Sequence, residues 1–125
     1  MPTPALLRET IARYASVVGA RDADAYAALF TDDAVQVDPY PKPPNEGRAA
    51  IRAFIGQSFD ACEAMTFEVE EVHPVADRAA VRFHITVTLA GTAMHIRGVE
   101  IFTVTDEGLI SAVDAYWGDE DLTFD

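Results

Sequence analysis

The run from Ala79 to Leu89 limits the possible folds more than any other stretch of this chain. Val81, Phe83, Ile85, Val87 and Leu89 fall on one side of an extended backbone, and Arg82, His84, Thr86 and Thr88 on the other. A period of two sustained that long is the mark of a half-buried β-strand. Such a strand has two edges to pair, and its neighbours in sequence supply the partners. Met65 to His73 alternates loosely and enters it through a turn at Asp77-Arg78. Ala90-Gly91-Thr92 turns the chain into a second alternating strand, His95 to Val104. Asp106-Glu107-Gly108 is a hairpin signal, and Leu109 to Trp117 is the last strand. The second half of the chain therefore predicts a long antiparallel meander.

The first half reads as helix. Thr3 before Pro4 is a hydroxyl N-cap followed by a proline at the first helical position. Leu7, Ile11, Tyr14 and Val18 then recur at helical spacing, with Gly19 as the expected stop. Asp22 can cap a shorter helix that turns Tyr26, Leu29 and Phe30 inward and ends at Thr31-Asp32-Asp33. Ala34 to Val37 is a short strand closed by Asp38-Pro39, since proline holds its predecessor extended and cannot donate to a further strand. A proline-rich loop follows (Pro39, Pro41, Pro43, Pro44), and Gly47 precedes a third helix whose buried stripe is Ile51, Phe54, Ile55 and Phe59. Three N-terminal helices packed on a curved, mostly antiparallel sheet make an α+β plan, expected to occupy residues 1–125 as one domain.

Charge narrows the partners. Nine Lys and Arg against twenty-one Asp and Glu give a formal net charge of −12. That is the wrong sign for nucleic acid or an anionic membrane, and it leaves a neutral ligand open. The single Cys62 excludes an intramolecular disulfide and suits a reducing compartment. Arg8, Glu9 and Arg13 interrupt any apolar leader and no run reaches membrane-spanning length, so a cytoplasmic location is expected. His73, His84 and His95 are scattered and lack the spacing of a metal motif, and no phosphate loop, dinucleotide fingerprint or nucleophile elbow is present. Cys62 reads as a small buried thiol. The chemistry left is that of carboxylates and a tyrosine.

Glu100 is the residue that stands out. In the strand His95 to Val104 it shares a face with Ile96, Gly98, Phe102 and Val104, while Arg97, Val99, Ile101 and Thr103 take the other. A carboxylate there loses its hydration and must find a cation, hold a proton or face a cavity. An ion pair with Arg13 or Arg82 is one account; a functional site is the other. Tyr14 on the inward helical stripe and Asp38 at a strand end are the groups that could join it. Each also has an ordinary structural account, as a core tyrosine bonded to a carbonyl and as an acid opening a turn.

Several segments together resemble the Δ5-3-ketosteroid isomerases (steroid delta-isomerases), which have the cone-shaped NTF2-like, SnoaL-like fold. ARYASVV is similar to the segment carrying that family's oxyanion-hole tyrosine, at Tyr14. ALFTDDAVQVDPY resembles the stretch that ends in the catalytic base, at Asp38. PPNEGRAAIRAFIGQ is similar to the loop and third helix, with Phe54 at a pocket aromatic, and TDEGLISAVDAYW matches the closing hairpin, with Trp117 lining the pocket. Counted back from that hairpin, Glu100 falls on the second oxyanion-hole acid, usually Asp in the family. Two tyrosines that support the catalytic tyrosine in some members are Phe30 and Ile55 here, so the resemblance predicts a Tyr14 with fewer partners.

The resemblance implies a 3-oxo-Δ5-steroid substrate. Asp38 would carry a proton from C4 to C6 through a dienolate, held by hydrogen bonds from Tyr14 and protonated Glu100. Val18, Phe54, Phe83 and Trp117 would line the substrate pocket, no cofactor or metal would be needed, and the polar side of Ala79 to Leu89 would suit a homodimer interface. A SnoaL-type polyketide cyclase and a non-catalytic binder of apolar ligands are the competing expectations.

Overall fold

The computed structural model describes residues 1–125. Helix α1 (Pro4–Ala20) opens on Thr3, whose hydroxyl accepts a bond from the Leu6 amide, and buries Leu7, Ile11, Tyr14 and Val18. It runs past Gly19 and ends at Arg21, a left-handed cap with φ 50°. The Arg21 side chain donates to the carbonyls of Phe59 and Cys62, which holds that ending in place. Helix α2 (Ala23–Ala28) is capped by Asp22 and helix α3 (Arg48–Asp60) follows Gly47, whose φ of 89° requires glycine. No helix is long and apolar enough to cross a membrane.

The strands are β1 (Phe30–Val37), β2 (Asn45–Glu46), β3 (Ala64–Val75), β4 (Arg78–Leu89), β5 (Thr92–Val104), β6 (Ile110–Tyr116) and β7 (Leu122–Phe124). They form a curved, unclosed sheet in the order β2-β1-β6-β5-β4-β3, with β7 on β5. The meander and its hairpins are as the alternation predicts, with small shifts. The β3–β4 turn is Ala76-Asp77 rather than Asp77-Arg78, with Ala76 at φ 55°. Thr31-Asp32-Asp33 is not a helix end but part of β1, which begins at Phe30 and bulges before Val35. Strands β2 and β7 are too short to show a period, and only their partners reveal them.

Helix α1 packs along β3, and helices and sheet together enclose a core in which Tyr26, Phe30, Phe83 and Phe102 are fully buried. One pairing departs from the antiparallel pattern. Strand β1 runs parallel to β6, with Val37 beside Asp114, so the C-terminal ends of both strands emerge at the same edge of the sheet. Asp38 and Trp117 are the residues delivered there.

Candidate functional site

Between the helices and the concave face of the sheet lies a cavity of about 250 Å³. Tyr14, Val18, Asp38, Phe54, Glu100 and Trp117, all read from the sequence as site residues, line it together. Phe83 does not. It is fully buried behind the cavity wall, stacked on Phe67 at 5.3 Å between ring centroids, and Phe67 is the aromatic that faces the space. Residues that the alternation placed inward without assigning them a role, Ile85, Val87 and Ile96, complete the sheet wall. Lys42 and Ser58 add polar groups, Lys42 from the exposed proline-rich loop.

Glu100 comes from the middle of β5, opposite Val81 on β4 and Ala115 on β6. It is 2% exposed and has no cationic partner. Arg13 bonds Glu9 and Arg82 bonds Glu71, so neither expected ion pair forms. The Glu100 Oε2 atom is buried without any hydrogen-bond partner. Burial first, and then the charge of Asp38, hold this carboxyl well above the usual glutamate range; only the Tyr14 hydroxyl works the other way. Such a setting favours the protonated form, and a carboxyl that holds its proton can donate it in a hydrogen bond.

Asp38 is placed differently. It is half-buried at the end of β1, and its Oδ1 accepts a bond of 3.1 Å from the Trp117 indole N–H. Burial is the largest influence and leaves it above the usual aspartate range, although the Trp117 bond and the Lys42 charge both favour the ionised form. Trp117 reaches this position because β6 passes very close to Gly98. A Cβ on Gly98 would lie 2.4 Å from the Tyr116 carbonyl oxygen and 3.0 Å from the Trp117 Cβ. The two acids therefore face one space with different leanings, Glu100 toward the neutral form and Asp38 less so. That is the arrangement needed for an acid and a base to work side by side.

Tyr14 lies edge-on to Phe67 and Phe102, with centroids 5.2 and 5.0 Å away. Burial and then the nearby Glu100 keep its phenol protonated, well above the ordinary tyrosine range. The resemblance left it with fewer partners than two supporting tyrosines would give, and its hydroxyl has one hydrogen-bond partner. Phe30 and Ile55 carry no hydroxyl, but Tyr26 approaches from α2, and its hydroxyl lies 3.0 Å from that of Tyr14. Gln36, fully buried on β1, bonds Tyr26 in turn. The sequence did carry a signal for Gln36: an amide between Ala34 and Asp38 on the inward side of a strand is as anomalous as Glu100.

The histidines are also less scattered than their spacing implies. On the outer face of the sheet His84 Nε2 lies 2.8 Å from His95 Nδ1, and His95 Nε2 lies 2.9 Å from Asp125. No group of three or more His, Cys, Asp or Glu side chains is arranged to hold a metal ion.

A model of the SnoaL-like domain matches residues 11–113. A steroid Delta-isomerase of Nocardioides simplex is 30% identical over 116 residues, 93% of each chain. Among solved structures, SalBIII, described as an epoxide hydrolase/cyclase-like enzyme in pyran ring formation of the polyether salinomycin, superposes with a TM-score of 0.89 at 30% identity, over 98% of both chains. RV0760c from Mycobacterium tuberculosis superposes over both entire chains with a TM-score of 0.88 at 26% identity. A computationally designed 17-OHP binder gives 0.86 at 25% identity, over 96% of this chain and 98% of its own.

Proposed function

This chain belongs to the SnoaL-like family of NTF2-like domains, and on that premise we propose that it is a steroid Δ-isomerase, converting 3-oxo-Δ5-steroids to their Δ4 isomers. One observation carries the proposal: the uncharged setting of the Glu100 carboxyl, buried with an unpartnered oxygen in the same cavity as Tyr14 and Asp38. A buried polar atom left unbonded costs on the order of 1–3 kcal/mol, and a substrate oxygen arriving there would remove that cost.

The proposed chemistry needs no external reactant. Ionised Asp38 takes a proton from C4, which the 3-carbonyl acidifies, and the electron pair moves onto the carbonyl oxygen as a dienolate. Tyr14 and neutral Glu100 donate hydrogen bonds to that oxygen, where charge develops in the transition state. Asp38 then returns the proton to C6 and the double bond shifts from C5–C6 to C4–C5. The Trp117 N–H and Lys42 hold Asp38 ready to act as the base. Val18, Phe54 and Trp117 would grip the apolar rings, and the reading includes a homodimer through the outer sheet face.

The relationship to SalBIII favours a second reading. There Glu100 would protonate an epoxide oxygen while Asp38 deprotonates an attacking hydroxyl of the same substrate. The kinship with a designed steroid binder raises a third, binding without catalysis. Incubation with 5-androstene-3,17-dione separates them: the proposal requires conjugated-enone absorbance to grow with enzyme concentration. Binding of the steroid with no growth in absorbance would overturn it.

A further inference from the structure

We propose that Asn45, Gln36 and Tyr26 form a directional hydrogen-bond relay that points the Tyr14 proton into the cavity. The inference rests on the reading of Tyr14 as an oxyanion donor. Strand β2 places Asn45 directly across from Gln36 on β1. Asn45 Nδ2 donates to Gln36 Oε1 at 3.1 Å, which turns the Gln36 nitrogen toward Tyr26. Gln36 Nε2 then donates to the Tyr26 hydroxyl at 2.8 Å.

An amide nitrogen only donates, so the Tyr26 oxygen must accept in that bond. Its own proton is left for its other partner, the Tyr14 oxygen 3.0 Å away. Tyr14 therefore accepts from Tyr26, and its proton is directed at the cavity, which the Glu100 carboxyl also lines. Each accepted bond also polarises the next hydroxyl and strengthens it as a donor. Without Gln36 the two phenols could bond either way round, and in one arrangement the Tyr14 proton is held by Tyr26. Burying an amide on the inward side of β1 is costly unless its bonds are made, and here both ends are made in a fixed direction. None of the three residues lines the cavity. They are positioning residues.

Asn45→Asp tests the direction from outside the cavity. An aspartate there only accepts, so the Gln36 amide must turn over, present its oxygen to Tyr26, and draw the Tyr26 proton away from Tyr14. Tyr14 then donates to Tyr26 instead of to the ligand. The readout is the affinity for a planar steroid phenol, which requires no turnover, with melting temperature measured in parallel. Asn45→Asp should weaken binding about tenfold, the worth of one misdirected hydrogen bond, and Asn45→Ala should weaken it less. In a Tyr26→Phe background the two substitutions at Asn45 should become equivalent. If Tyr14→Phe weakens phenol binding but Asn45→Asp does not, or if Asp and Ala lower only the melting temperature, the relay is overturned while the oxyanion reading stands. If Tyr14→Phe itself binds the phenol as well as wild type, the oxyanion reading fails and the relay fails with it.

Discussion

Two glutamates of the same sheet show opposite fates for one functional group. Glu71 lies on the outer face of β3, in water, where His73 bonds it at 2.8 Å and Arg82 pairs with it from the adjacent strand. Those partners hold its carboxyl below the usual range. Glu100 is on the inner face of β5, with no cation, and is held well above that range. Val81, one residue before Arg82, stands opposite Glu100. A single step along β4 thus separates the side of the sheet where a carboxylate is stabilised from the side where its protonated form is favoured. Exposure to water decides first and partners second. A solvated acid can recruit a charge, whereas a buried one must either hold a proton or find a ligand.

The largest expected effect separates the base from every other acid. Asp38→Asn should reduce isomerase turnover by about 10²–10⁴-fold or more while a planar steroid phenol still binds, and Glu71→Gln should leave turnover unchanged. An Asp38→Asn enzyme within about threefold of wild type would remove Asp38 from the mechanism.

Next comes Glu100 itself. Glu100→Ala should cost about 10²–10³ in turnover, the usual loss for one oxyanion-hole donor. Glu100→Gln retains a weaker donor and should fall between Ala and wild type, with Glu100→Asp mildest. An infrared spectrum at pH 7 offers an independent check: Glu100→Gln should remove a protonated-carboxyl band. If the substitution removes only an ionised-carboxylate band, the donor role is wrong.

Stability should follow pH with opposite signs at the two positions. Glu100 binds its proton more tightly folded than unfolded, so its contribution is intact below the ordinary glutamate value of 4.5 and is lost as pH rises above it. Relative to Glu100→Gln, wild type should lose about 1.4 kcal/mol per pH unit through that window. Glu71 is shifted the other way, so its contribution is present above 4.5 and lost as pH falls below it. Urea titrations of wild type, Glu100→Gln and Glu71→Gln, run well below pH 4.5 for the Glu71 window and upward to pH 8 for the Glu100 window, would show the opposed slopes; parallel slopes would erase the distinction between the faces.

The pocket wall supplies a smaller effect. Trp117→Ala should raise the KM for steroid several-fold, since the indole both lines the cavity and bonds Asp38. Emission from Trp117, the single tryptophan, should change on saturation with steroid. An unchanged spectrum would place it outside the binding site. Smallest of all, Arg82→Ala on the outer face should cost no more than about 1 kcal/mol of stability, as exposed pairs do, and nothing in turnover.

Much of this molecule was legible in local pattern. Period-two alternation determined the meander and the face of Glu100, and period 3.6 determined that Tyr14 points inward, because both are properties of a few consecutive residues. The tertiary structure decided who meets whom. It left Glu100 without the arginines that local reasoning offered it, put Phe67 rather than Phe83 on the cavity wall, and brought His84 against His95. It also delivered Asn45 and Gln36 to Tyr26 through a strand too short to show any period. Those outcomes depend on register and on bulges such as the one between Val69 and Glu71, which are set by pairing between distant segments. A residue's face follows from its neighbours in sequence, but its partner follows from how far one strand has slid along another, and no local stretch of the chain encodes that distance.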